Sequence, residues 1–194
     1  MGKITVLGAG AWGTTMAQVL ADCANDVLLW GRSTEVVDEI NNSHTNKKYL
    51  GKHILPTQLN ATSDIEKAFK HSSIIVLAIP AQSLRAALIE WKPLFAKDAL
   101  IVSTLKGIEL TSDLRMTEVI IDVLDTKNYA IITGPNLADE LILRQPAGAV
   151  AAAPTLEVAI KVQELFSAPY YRVYTSTDVV GCELAGAITS IIAL

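Results

Sequence analysis

Short apolar runs rich in β-branched residues alternate along the chain with stretches whose apolar residues recur at helical spacing. Lys3–Leu7, Asp26–Trp30, Ser73–Ile79, Leu100–Thr104, Tyr129–Thr133, Ala147–Ala152 and Tyr171–Tyr174 read as strands. Helices are expected over Thr14–Ala24, over Glu35–Asn41 behind a Thr34 cap, and from Ser63 or Asp64 to Lys70-His71. They are expected again over Gln82–Leu94, from a Ser112-Asp113 cap to Leu124, and over Leu137–Leu143. Two more follow, Thr155–Phe166 and a last one that starts at Asp178 and is still running at Leu194. Asn42–Lys52 reads as a polar loop, and Leu55-Pro56 as a break. Ser73–Ile79 has no polar face, as in a strand covered on both sides. Strict alternation of strand and helix predicts an α/β fold with a doubly wound, mostly parallel, Rossmann-like sheet.

The first strand runs into Gly8-Ala9-Gly10-Ala11-Trp12-Gly13, and a helical pattern follows. This is G-x-G-x-x-G between a strand and a helix, the setting in which the motif predicts a dinucleotide site. Gly8 allows a tight exit from the strand, Gly10 lets a pyrophosphate approach the backbone, and Gly13 lets the helix pack on the strand. The N–H groups at the helix start then face the phosphates. The competing reading is a glycine-rich turn that binds nothing.

The 194 residues suffice for one domain with a sizeable core, or for one domain and part of another. With 51% hydrophobic and 19% charged residues the chain is globular, and a net charge of −4 without long basic runs argues against a nucleic-acid surface. Val179–Leu194 is the longest apolar stretch, but it contains Glu183 and falls short of the roughly 20 residues of a membrane helix. Cys23 and Cys182 form no C-x-x-C and the N-terminus enters a strand directly, so two reduced thiols in the cytoplasm are expected. His44 and His53 lack the spacing of a metal pair, and no metal is assigned.

In sheets of this kind ligands sit beyond the carboxyl ends of the strands. Those ends carry the glycine turn, Gly31-Arg32, Pro80, Lys106-Gly107 and Gly134-Pro135-Asn136. The second strand ends in Arg32 with no acid beside it, which favours the 2′-phosphate of NADP over the bare ribose of NAD; a solvated surface arginine is the alternative. Lys106 suits a phosphate or a polarised carbonyl, or is an ordinary surface lysine. Gly134 and Asn136 open a helix, as a small anion site or as a simple Asn cap.

With these motifs placed, the sequence resembles the bacterial NAD(P)-dependent glycerol-3-phosphate dehydrogenase family over its whole length. The matching segments are GAGAWGTTMA from Gly8, LLWGR to Arg32, KYLGKHILP from Lys48, STLKGIE from Ser103, TGPNLADEL from Thr133 and RVYTSTDVVGCELAGA from Arg172. The resemblance implies reduction of dihydroxyacetone phosphate to sn-glycerol 3-phosphate by NAD(P)H, feeding phospholipid synthesis. It implies cofactor contacts at Gly8, Gly10, Ala11, Trp12, Gly13, Arg32, Tyr49, Lys106 and Ala138. Lys106, Gly134 and Asn136 would hold the substrate, a small phosphate ester. A homodimer is compatible with it. The family has serine at Ala11, serine or threonine at Asn136, and its general acid/base lysine at Thr189. It also implies a helical second domain, so residues 1–178 are expected to form the dinucleotide-binding domain and 179–194 the first helix of a domain cut short. A non-catalytic NAD(P)H-binding module, and a dehydrogenase for another ketone or hydroxyacid, are the alternatives.

Overall fold

The computed structural model describes residues 2–192, with side chains as far as Thr189. Eight strands form one sheet: β1 (Lys3–Leu7), β2 (Asp26–Trp30), β3 (Asn60–Thr62), β4 (Ile74–Leu77), β5 (Leu100–Ser103), β6 (Tyr129–Thr133), β7 (Ala147–Ala152) and β8 (Tyr171–Ser176). Their order is β3-β2-β1-β4-β5-β6-β7-β8, and every pair is parallel except β6 with β7. The connecting helices are α1 (Ala11–Asp22), α2 (Thr34–Ser43), α3 (Lys47–Leu50), α4 (Ile65–His71), α5 (Leu84–Trp91), α6 (Met116–Leu124), α7 (Ala138–Ile142), α8 (Leu156–Phe166) and α9 (Val179–Ile192).

The central strands are apolar on both faces because both are covered. Successive side chains alternate sides. Ile4, Val6, Val76, Val102 and Ile132 join the core under α1 and α8, with Met16, Leu20, Val162 and Phe166. Leu7, Ile75, Leu77 and Ile101 join the opposite core with Phe69, Leu84, Leu88, Trp91 and Val119, from α4, α5 and α6. Trp30 and Phe69 both meet the Trp91 ring edge-on, at 5.2 and 6.1 Å between centroids.

The sheet confirms the α/β reading and corrects it locally. The stretch read as a polar loop contains α3, and the edge strand β3 follows it. The cap of α2 is Ser33, whose hydroxyl accepts from Val36 N, rather than Thr34. The helix expected from Ser112-Asp113 begins at Met116, because Asp113 turns left-handed (φ 57°) and the loop closes on itself through an Ile108–Arg115 bridge. The segment Gln82–Leu94 is α-helical only over Leu84–Trp91, between two short 3₁₀ turns. The last helix begins one residue after Asp178, whose carboxylate caps it by accepting from Gly181 N at 2.8 Å; residues 193–194, where it was expected to continue, lie outside the described residues.

Val179 seats α9 on Ile131 and Ala152. A buried polar contact fixes its rotation. The carboxylate of Glu183, 3% exposed, accepts from Thr117 N (2.8 Å), Thr117 Oγ1 (2.6 Å) and Arg115 Nη1 (2.9 Å). Glu183→Gln keeps the shape but removes the charge from these bonds. It is expected to lower stability by about 1–2 kcal/mol, read from the urea midpoint; an unchanged midpoint would show that the charge is not what holds α9.

Candidate functional site

From β1 the chain crosses to β2 on one side, while its other neighbour is β4. Such a reversal opens a crevice at the carboxyl ends of the strands. Here the crevice is a cleft of about 780 Å³ between the ends of β1, β2, β4, β5 and β6.

Its floor is the glycine turn. Gly8 sits at φ 126°, and a Cβ there would lie 2.4 Å from the carbonyl oxygen of Ala78. Gly10 takes the N-cap position of α1 in extended backbone, where a Cβ would meet no atom within 4 Å, so the peptide faces open cleft. No side chain caps α1 and its first turn carries no acid. Its first N–H groups are therefore free for an external anion, and the helix dipole favours one. The indole Nε1 of Trp12 is buried without a partner.

Gly8, Gly10, Ala11, Trp12, Arg32, Tyr49, Lys106, Asn136 and Ala138, all expected from the sequence, line this one cleft. Gly13 lies behind the wall: a Cβ there would fall 1.8 Å from the carbonyl oxygen of Gly8. Gly134 acts through its carbonyl, which accepts from Lys106 Nζ at 2.8 Å. Partial burial between the cleft walls lowers the Lys106 pKa below the ordinary lysine value. Asn136 does not cap α7, whose N-cap is Leu137; its amide instead donates to Tyr171 Oη at 3.3 Å. Thr189 is not on the cleft wall, and its hydroxyl donates to Ala185 O at 2.7 Å within α9.

Two contributors are invisible in the hydrophobic pattern. Asn46 is fully buried, and its amide donates to Ala9 O (3.1 Å) and Thr14 Oγ1 (2.9 Å), bracing the glycine turn from α3. Lys48 joins Arg32 and Lys106 on the wall, which carries no carboxylate. In the sequence Lys48 enters only as the first residue of the KYLGKHILP segment, with no role attached. The cleft thus offers cationic side chains, free backbone N–H groups and apolar walls to an elongated anion. Burial pushes the Cys23 thiol, far from this cleft, up to about 11. No helix among the described residues is long and apolar enough to cross a membrane.

A doubly wound sheet with an uncapped glycine turn at its switch point is a Rossmann-like α/β fold. Residues 3–159 match the family model described as NAD-dependent glycerol-3-phosphate dehydrogenase N-terminus. A glycerol-3-phosphate dehydrogenase [NAD(P)+] of Corynebacterium jeikeium is 45% identical over 196 residues, covering 100% of this chain and 59% of its own length. The protein of the same name from Streptomyces coelicolor is 47% identical over 194 residues, covering 99% and 58%. The crystal structure of glycerol-3-phosphate dehydrogenase from Coxiella burnetii superposes with a TM-score of 0.91 at 30% identity, covering 99% of this chain and 59% of that one. The chain belongs to the NAD-dependent glycerol-3-phosphate dehydrogenase N-terminal family. It spans somewhat more than half the length of the relatives it matches.

Proposed function

We propose that the cleft binds NAD(P)H and that the chain supplies the cofactor side of an enzyme reducing dihydroxyacetone phosphate to sn-glycerol 3-phosphate, for phospholipid synthesis. The observation that carries this is the meeting, in one carboxylate-free cleft, of an uncapped α1, an unpartnered Trp12 indole and three cations. The bound nicotinamide supplies the hydride. The first turn of α1 holds the pyrophosphate through backbone N–H groups, so the hydroxyl missing at Ala11 is not essential. Trp12, Tyr49 and Ala138 line the cofactor. Lys106 meets both ligands: it borders the cofactor and, with Gly134 and Asn136, holds the substrate, and its ammonium stabilises negative charge on phosphate or on the developing alkoxide. The names of the relatives do not favour a non-catalytic module. Residues from Val179 onward begin a helical second domain in this reading, and the location is the cytoplasm. A homodimer is compatible with it.

Titration of NADPH against the folded chain, followed by tryptophan fluorescence, tests the binding step. NADPH oxidation on adding dihydroxyacetone phosphate tests the chemistry. A folded chain that binds neither NADPH nor NADH overturns the reading. Arg32 makes NADP the preferred cofactor. Arg32→Asp is expected to weaken NADPH at least about tenfold more than NADH, since a charge-assisted contact to phosphate becomes a repulsion. Equal weakening of both would remove Arg32 from the 2′-phosphate.

A further inference from the structure

The loop after β5 carries Lys106 and then runs across the protein surface to α6. It has few apolar anchors: Leu110 is 81% exposed. What holds it comes from the turn after β4. The side-chain amide of Gln82 donates to Ile108 O at 2.8 Å and accepts from Leu110 N at 3.1 Å. One side chain thus pairs with the loop backbone as a neighbouring strand would. Behind it, Arg85 Nε lies 3.0 Å from both carboxylate oxygens of Glu109, which is 5% exposed. Ser112 Oγ donates to the same carboxylate, and the other arm of Arg85 reaches Asp122 at 2.5 Å. At the foot of the loop Gly107 lies close to Ala81: a Cβ there would be 3.3 Å from the Ala81 Cβ. Pro80 and Ala81, the residues just before Gln82, line the cleft together with Leu105 and Lys106.

We propose that Gln82 is a positioning residue: backed by the Arg85–Glu109 pair, it locks the Lys106 loop to the β4 turn, so that two walls of the cleft move as one and the Lys106 ammonium keeps its place in the cleft. This rests on the NAD(P)H reading above. Gln82 is exposed, so its role is register rather than burial. Loss of both backbone bonds frees the loop, and the Lys106 it carries, to shift relative to the β4 turn.

The test uses Gln82→Met, which keeps length without either bond, and Gln82→Glu, which keeps the acceptor for Leu110 N and loses the donor to Ile108 O. NADPH affinity is expected to fall about tenfold in Gln82→Met, the scale of two hydrogen bonds, and less in Gln82→Glu. Adenosine 2′,5′-bisphosphate, which reaches only the glycine-turn and Arg32 end, should bind all three proteins within about twofold. In a Lys106→Met background, Gln82→Met should cost nothing further, because its effect passes through Lys106. Equal losses for the two ligands, no loss for either, or additive losses in the double variant would each overturn the proposal. A wild-type chain that binds adenosine 2′,5′-bisphosphate and NADPH with an indifferent Gln82 refutes this inference alone. A wild-type chain that binds no dinucleotide refutes the functional reading and this inference with it.

Discussion

Gly13→Ala is expected to unfold much of the protein's margin of stability, although alanine is the better helix former. Gly13 lies inside α1, where the exchange would ordinarily gain about 1 kcal/mol. The new Cβ, however, would sit 1.8 Å from the carbonyl oxygen of Gly8 and 3.0 Å from the Cβ of Ala78. Neither can withdraw. Gly8 N donates to Trp30 O and Ala78 N to Leu7 O, both at 2.9 Å, so both belong to the sheet ladder. The helix must lift off β1 and take the packing of Met16, Ala17 and Leu20 with it. A backbone clash in a filled core outweighs the propensity, and a net loss above about 3 kcal/mol is expected in the urea midpoint. Gly10→Ala is the contrasting control. Its backbone (φ −78°, ψ −176°) suits alanine and its Cβ would touch nothing within 4 Å, so stability should hold while NADPH binding is lost to the methyl group in the cleft. If Gly13→Ala left stability unchanged, close helix–strand approach would not be the reason for that glycine.

The contrast between these glycines marks what was legible in the sequence. β1, β4, β5 and β6 are covered on both faces, so each appears as a continuous apolar run, and the turn between β1 and α1 is punctuated by its glycines. β3 carries no such signal. It is three residues long and completed from outside the sheet: the Asn41 side chain donates to Ala61 O at 3.0 Å and accepts from Ala61 N at 2.8 Å. α3 is likewise a product of distant contacts. Glu39 accepts from Thr45 Oγ1 (2.7 Å) and Lys47 N (3.1 Å), and Asn46 is tied to the glycine turn 37 residues earlier. The mostly parallel sheet was legible, but the reversed direction of β7 was not. Ala147–Ala152 reads the same parallel or antiparallel, since small apolar residues pack in either ladder, and only the path of the chain after α7 reverses it. At the site, the strand ends identified which residues line one cleft, because topology places them together. The bracing by Asn46 and Gln82 consists of side-chain bonds to remote backbone and leaves no periodic trace.

Under the proposed function, Thr189→Lys is expected to raise the rate of dihydroxyacetone phosphate reduction by about 10²–10⁴-fold, the usual contribution of a positioned general acid. Gly186 of α9 lies against the end of β6, close enough that a Cβ would fall 2.3 Å from Thr133 Oγ1. Residues three apart on a helix share a face, so position 189 follows Gly186 along the side turned toward β6. Thr133 directly precedes Gly134, whose carbonyl holds the Lys106 ammonium. The native threonine brings nothing titratable to that end of the sheet. Its hydroxyl has an alcohol-like pKa and is already engaged with Ala185 O at 2.7 Å. In the proposed reaction, hydride delivery to the ketone leaves an alkoxide that must take a proton, while Lys106 is assigned to holding charge. A lysine at 189 restores a donor whose pKa burial can bring toward neutrality. The measurement is single-turnover NADPH oxidation at saturating cofactor in the variant and the native protein, with NADPH affinity as the control for folding. A folded variant that binds NADPH as tightly as the native protein and reduces substrate no faster would show that proton delivery is not what Thr189 limits.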